Sequence, residues 1–131
     1  MNAAAKNLRD PLKRARGHGS AKNGTHHFIL QRISAVILAL LTPWLLWLLI
    51  TLIPADHATV KATLAHPCNA VLLFSFLIAL FWHSRLGVQV VIEDYVHHHG
   101  LGVVAQILVL FGCSLGALVS LVAIGRIVFG G

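Results

Sequence analysis

Charge is scarce in this sequence. Only 11% of its 131 residues are charged, while 57% are hydrophobic; a soluble domain carries about 25% charged residues. A water-soluble fold of this length cannot hide so much apolar surface in one core, which excludes a soluble globular enzyme. Acids are scarcer still. Asp10, Asp56, Glu93 and Asp94 are the only four, and all lie outside the long apolar runs. The sequence has no dinucleotide-binding glycine fingerprint, nucleophile elbow, zincin helix or cysteine cluster. The chain therefore carries no signature for binding a flavin or an iron–sulfur cluster by itself. Cys68 and Cys113 lack metal or redox spacing and read as small apolar filler in membrane helices. No convincing internal repeat is present, which gives an inverted-repeat transporter little support.

What the sequence does have is apolar length. Ile33 to Ile53 contains no charge and is closed by Pro54. A second run extends from about Cys68 to Ile92, interrupted by His83 and Arg85, and a third from about Leu101 to Phe129, with Arg126 near its end. About 20 apolar residues cross the hydrocarbon of a bilayer. Every backbone polar group inside it must be satisfied within the segment, so each run is a helix. The expected fold is an all-α membrane protein with three transmembrane helices over about 30–53, 67–94 and 101–129. Residues 1–25 form a basic tail and residues 26–131 the transmembrane domain. Pro43 is expected to kink the first helix. Gly112, Gly116 and Ser120, four residues apart on the third, would permit close helix approach. The short links, Pro54 to Pro67 and Glu93 to Gly100, make sequential spans antiparallel neighbours.

The basic residues fix an orientation. Seven of the ten Lys and Arg lie at or before Arg32, and a pI near 10.2 could suggest nucleic acid. Their clustering beside an apolar run is instead the positive-inside pattern. It places the N-terminus in the cytoplasm, the Glu93–Gly100 turn on the same side and the C-terminus across the membrane. The first apolar run is too long and starts too late for a cleaved signal. Asp10, Pro11, Gly17, Gly19 and Gly24 break the amphipathic helix that a transit peptide needs. A bacterial inner membrane is favoured over a mitochondrial one.

Ionisable residues inside a span are rare and functional by default. His83 lies nine residues before the end of its span, about 13 Å deep at 1.5 Å per residue. A neutral imidazole offers one nitrogen lone pair, which is the donor that haem iron accepts. A hydrogen bond to a neighbouring helix is the other role open to it. Gly87, one turn on, would leave room for a flat macrocycle. Arg85 costs roughly 2.5–3.5 kcal/mol at mid-membrane, so it either snorkels outward or pairs with an anion such as a haem propionate. Arg32 opens the first span on the same side as a propionate ligand, a lipid-phosphate ligand or an interfacial anchor. Asp94 follows His83 by 11 residues, close to three turns and so on nearly the same face. With Tyr95 it supplies an acid and a hydroxyl at the rim, the groups a quinone needs on becoming a quinol; a belt tyrosine and a turn acid are the plainer readings. His97, His98 and His99 cannot converge on one metal from a regular helix. They are read as wet contacts with a partner or lipid, as are His26 and His27, while His18, His57 and His66 are read as solvated.

The segment from His83 to His97 resembles the hydrophobic membrane anchor subunits of succinate dehydrogenase. It has a His, a Gly four residues on, and Asp-Tyr at offsets 11 and 12. The stretch from His27 to Ala35, with Arg32 just before the first helix, is a second and weaker match. The resemblance covers about residue 24 to the end. It implies that His83 is an axial ligand of haem b, with a second anchor subunit completing the helical bundle and supplying the other histidine. It implies Arg32 at a haem propionate, Tyr95 on a ubiquinone carbonyl and Asp94 supporting that site. No catalysis is expected from this chain alone. A flavoprotein subunit would oxidise succinate and an iron–sulfur subunit would pass electrons to ubiquinone, linking the tricarboxylic acid cycle to respiration; FAD and iron–sulfur clusters belong to those partners. A fumarate reductase anchor and a cofactor-free structural anchor remain alternatives. Arg85 is outside the matched motif, and the tail before Gly24 is longer than the pattern.

Overall fold

The computed structural model of the chain describes residues 22–130. Four helices follow in order: α1 (Lys22–Leu52), α2 (His57–Ala65), α3 (Pro67–Tyr95) and α4 (His99–Phe129). Among the described residues there is no strand, as expected of an all-α membrane protein. Three of the helices, α1, α3 and α4, are long and apolar enough to cross a membrane. Each has 29 to 31 residues, about 43–46 Å at 1.5 Å per residue. That exceeds a hydrocarbon core of about 30 Å, so the spans tilt or project beyond it.

Several boundaries differ from the sequence expectation. The first helix starts at Lys22 rather than near residue 30 and runs through Gly24, so this glycine does not break it; residues 1–21 of the expected tail lie outside the described residues. Pro43 also sits inside a continuous helix, and the neighbouring Thr42 hydroxyl donates to the Leu38 carbonyl at 2.6 Å. The largest difference is α2, a helix inside what reads as a simple link. Asp56 is its N-cap, with Oδ1 accepting from the Thr59 N–H at 3.2 Å. Hydrogen bonds from the Thr59 side chain and then its backbone hold the Asp56 carboxyl below its ordinary value. His66 ends α2 in extended backbone and precedes Pro67 at the start of α3, the conformation a following proline imposes. Asn69 Nδ2 donates to the Thr63 carbonyl at 2.8 Å, a second donor beside the His66 N–H at 3.3 Å.

The middle span, α3, packs against both α1 and α4, while α1 and α4 share no substantial contact. The small core is therefore centred on α3, which buries Ala70, Leu73, Ala79, Leu86 and Ile92; α1 adds Ser34 and Leu48. On α4, a Cβ at Gly116 would sit 2.7 Å from Phe81 Cε1, whereas one at Gly112 would meet nothing within 4 Å. Close approach of α3 and α4 thus depends on one of the two glycines expected to provide it. No residue of α4 is buried. Large apolar side chains such as Phe111 and Leu118 stand more than half exposed along it, which only lipid or a partner chain makes tolerable.

Candidate functional site

His83 lies on the side of α3 that packs against α1, half-buried. Its Nδ1 is 3.0 Å from Ser34 Oγ, and Ser34 is 5% exposed. The Ser34 hydroxyl also lies 3.0 Å from the Gln31 carbonyl. With the hydroxyl proton on the Gln31 carbonyl, the oxygen lone pairs face His83 and Nδ1 donates to them. Nε2 then keeps its lone pair, has no hydrogen-bond partner among the described residues and is not fully buried. A histidine whose far nitrogen donates to an oxygen while the near one stays free is the arrangement of a metal-binding imidazole. One turn on, a Cβ at Gly87 would meet nothing within 4 Å, so the surface beside the imidazole is open. Together the free nitrogen and the bare glycine fit a planar iron macrocycle approaching from outside this chain.

Asp94 and Tyr95 close α3, both exposed, Tyr95 at 77%. Asp94 keeps nearly the same face as His83, about 17 Å further along the axis at helical rise. The two groups thus lie along one side of α3 rather than in one cluster. Their neighbour Glu93 turns the other way: its Oε1 accepts from Gln89 Nε2 at 2.9 Å and from Gln106 Nε2 of α4 at 3.5 Å. The three histidines after Tyr95 are exposed. His98 has a defined local role, its Nδ1 accepting from the Leu101 N–H as N-cap of α4. His97 Nδ1 lies 3.2 Å from the Tyr95 carbonyl.

The two arginines are placed differently. Arg85 follows His83 by two residues, about 200° around the helix, and faces α4. Its guanidinium lies 5.8 Å from the Trp82 ring and lines a groove of about 230 Å³ with Gln89 and Gln106. Arg85 is thus not on the His83 side. Arg32 is exposed, over the Phe28 ring of its own helix at 5.1 Å, and is likewise about 200° from Ser34. His27, expected as a wet contact with a partner or lipid, is turned inward instead. It is half-buried, two turns from Ser34 on the same face of α1, and its Nε2 is buried without a partner. Ser34 is the residue that sequence reading missed; the signal available was its two-turn spacing from His27 at the head of an apolar run.

This geometry agrees with comparisons across the chain. The profile of the succinate dehydrogenase/fumarate reductase transmembrane subunits matches residues 6–123. The chain belongs to that family. It is 36% identical over 114 residues to the succinate dehydrogenase hydrophobic membrane anchor subunit of Rickettsia conorii (strain ATCC VR-613 / Malish 7), covering 86% of this chain and 90% of the relative. The corresponding subunit of Rickettsia bellii (strain RML369-C) is 40% identical over 89 residues, 68% of this chain and 71% of that one. That of Paracoccus denitrificans is 33% identical over 85 residues, 65% and 66%. No solved structure matches the chain. The relatives support a succinate dehydrogenase membrane anchor subunit, associated with the other subunits of that complex.

Proposed function

We propose that the chain is the haem b- and ubiquinone-binding anchor of succinate:ubiquinone oxidoreductase, and that His83 Nε2 is one axial ligand of the haem. The observation that carries this reading is the Ser34–His83 pair, which leaves Nε2 as a free donor beside the open surface at Gly87. Haem b, when bound, supplies a one-electron redox centre. The residues of this chain hold and orient it: Ser34 fixes the imidazole, and Gly87 leaves the ring its space. Arg32, with no carboxylate partner among the described residues, is the residue that the resemblance assigns to a propionate, although it lies about 200° round α1 from Ser34 and reaches the haem side only by swinging from Phe28. A second anchor subunit supplies the other axial histidine and completes the bundle.

At the end of α3 the exposed Tyr95 hydroxyl donates to a ubiquinone carbonyl, and Asp94 supports the pocket. The flavoprotein and iron–sulfur subunits, holding FAD and iron–sulfur clusters, dock on that side. The positive-inside pattern of the basic residues up to Arg32 supports a cytoplasmic docking side and a periplasmic C-terminus in a bacterial inner membrane. The curated relatives are named for succinate dehydrogenase, which supports succinate oxidation over fumarate reduction and, with it, a role beside the tricarboxylic acid cycle.

The test is a reduced-minus-oxidised spectrum of the complex purified with its associated chains in mild detergent. A b-type band is expected, and His83→Ala removes it while the subunits still copurify. A wild-type complex without the band would reduce the chain to a cofactor-free anchor.

A further inference from the structure

A second cluster of polar chemistry lies at the other end of the spans from Tyr95. The short helix α2 packs against the last turns of α4. Between them is a pocket of about 450 Å³ lined by His57, Lys61 and Arg126, with Val60, Leu64 and Ile127 as its apolar wall. His57 and Lys61 are one turn apart on the same face of α2, and Arg126 comes from a different helix. None of the three has an ion pair among the described residues. The nearest acid by sequence, Asp56, is occupied in capping α2 through Thr59. Two cations and an imidazole thus meet at one cavity with no anion of their own.

The position narrows the ligand. α2 begins four residues after Ile53, the end of the first apolar run, and Arg126 lies in the last turn of α4. Both therefore sit at the rim of the hydrocarbon, where phospholipid phosphates lie. Lys and Arg bind phosphate oxygens through charge-assisted hydrogen bonds. On this rim, periplasmic by the positive-inside pattern, each is taken at about 1 kcal/mol, the value of a basic residue beside an anionic membrane surface. Val60, Leu64 and Ile127 give the cavity an apolar side, which an acyl chain would need. We propose that His57, Lys61 and Arg126 form a binding site for the phosphate head group of an anionic phospholipid. The site depends on the chain spanning a membrane and is independent of the haem and quinone reading.

Native mass spectrometry of the whole complex, delipidated in mild detergent and supplied with phosphatidylglycerol or phosphatidylcholine, tests it. Wild-type complex should retain phosphatidylglycerol preferentially. Lys61→Gln should weaken that retention about fivefold, and Lys61→Gln with Arg126→Gln about 25-fold. Lys61→Arg keeps the charge and should retain the lipid. Equal retention of the two lipids by wild type, or undiminished phosphatidylglycerol on the double variant, would overturn the site. Loss of a partner subunit from the double variant with lipid retention unchanged would assign the pocket to a protein carboxylate instead.

Discussion

The Ser34 hydroxyl joins α1 to α3 by standing 3.0 Å from Nδ1 of His83, while giving its own proton to the Gln31 carbonyl. One serine is thus placed to orient a membrane imidazole from a helix 49 residues away in sequence.

Ser34→Ala should leave the Nδ1–H of His83 without its acceptor, an imbalance of about 1–3 kcal/mol. Loss of such an outer partner weakens metal retention roughly 10–100-fold. The expected outcome is a shifted haem reduction potential and faster haem loss in detergent, with the b-type band still present at first. Ser34→Thr keeps the hydroxyl and should restore both. An unchanged potential and loss rate in Ser34→Ala would show that the pair does not orient the ligand.

Gly87→Leu should separate folding from haem binding. Within the chain a side chain at this position meets nothing, and leucine favours helix, so insertion and assembly should persist. The haem-to-protein ratio should fall to a minor fraction, measured as pyridine haemochrome per complex. Full haem content would remove Gly87 from the cofactor surface.

Tyr95→Phe deletes one hydroxyl from a residue that packs against little in this chain. Ubiquinone reductase activity should drop by roughly tenfold or more, the effect of losing a hydrogen bond worth about 1.5 kcal/mol. Reduction of an artificial dye by the soluble subunits should be unaffected. If quinone turnover matches wild type, the rim hydroxyl has no part in the site.

Gly116→Val should destabilise the α3–α4 pair by about 1–3 kcal/mol through overpacking on Phe81, seen as a lower thermal midpoint of the complex. Gly112→Val has no such neighbour in the chain and should be milder. Phe81→Leu should partly rescue Gly116→Val and not Gly112→Val; equal effects at the two glycines would contradict the packing.

Much of the fold was legible in the sequence because a bilayer imposes one requirement, length of apolar helix, which composition alone reveals. The site was legible in part. His83 and Arg85 stood out as ionisable residues in an apolar run, but two residues of separation on a helix sends them to opposite sides. That distinction needs the neighbouring helices. Ser34 was illegible for the opposite reason: a serine in a membrane span usually bonds back to its own helix, and only the packing of α1 on α3 gives this one a second partner. Helix α2 escaped notice because nine residues between two prolines carry no long apolar run, and the Asp56 cap that starts it is a local signal. The basic pocket joins residues 57–64 to 126–130, a pairing that no local pattern contains.

Helix α4, with none of its residues buried by its own chain, ties the abundance of this subunit to that of its companions. A copy made in excess of the other subunits would leave most of this helix facing lipid, held only by α3 and the short α2. Membrane quality control would then meet an unpaired span with little to resist its extraction. The cell would thus accumulate only as many copies as it can assemble, and the ratio of subunits would be set by clearance of the surplus as much as by synthesis.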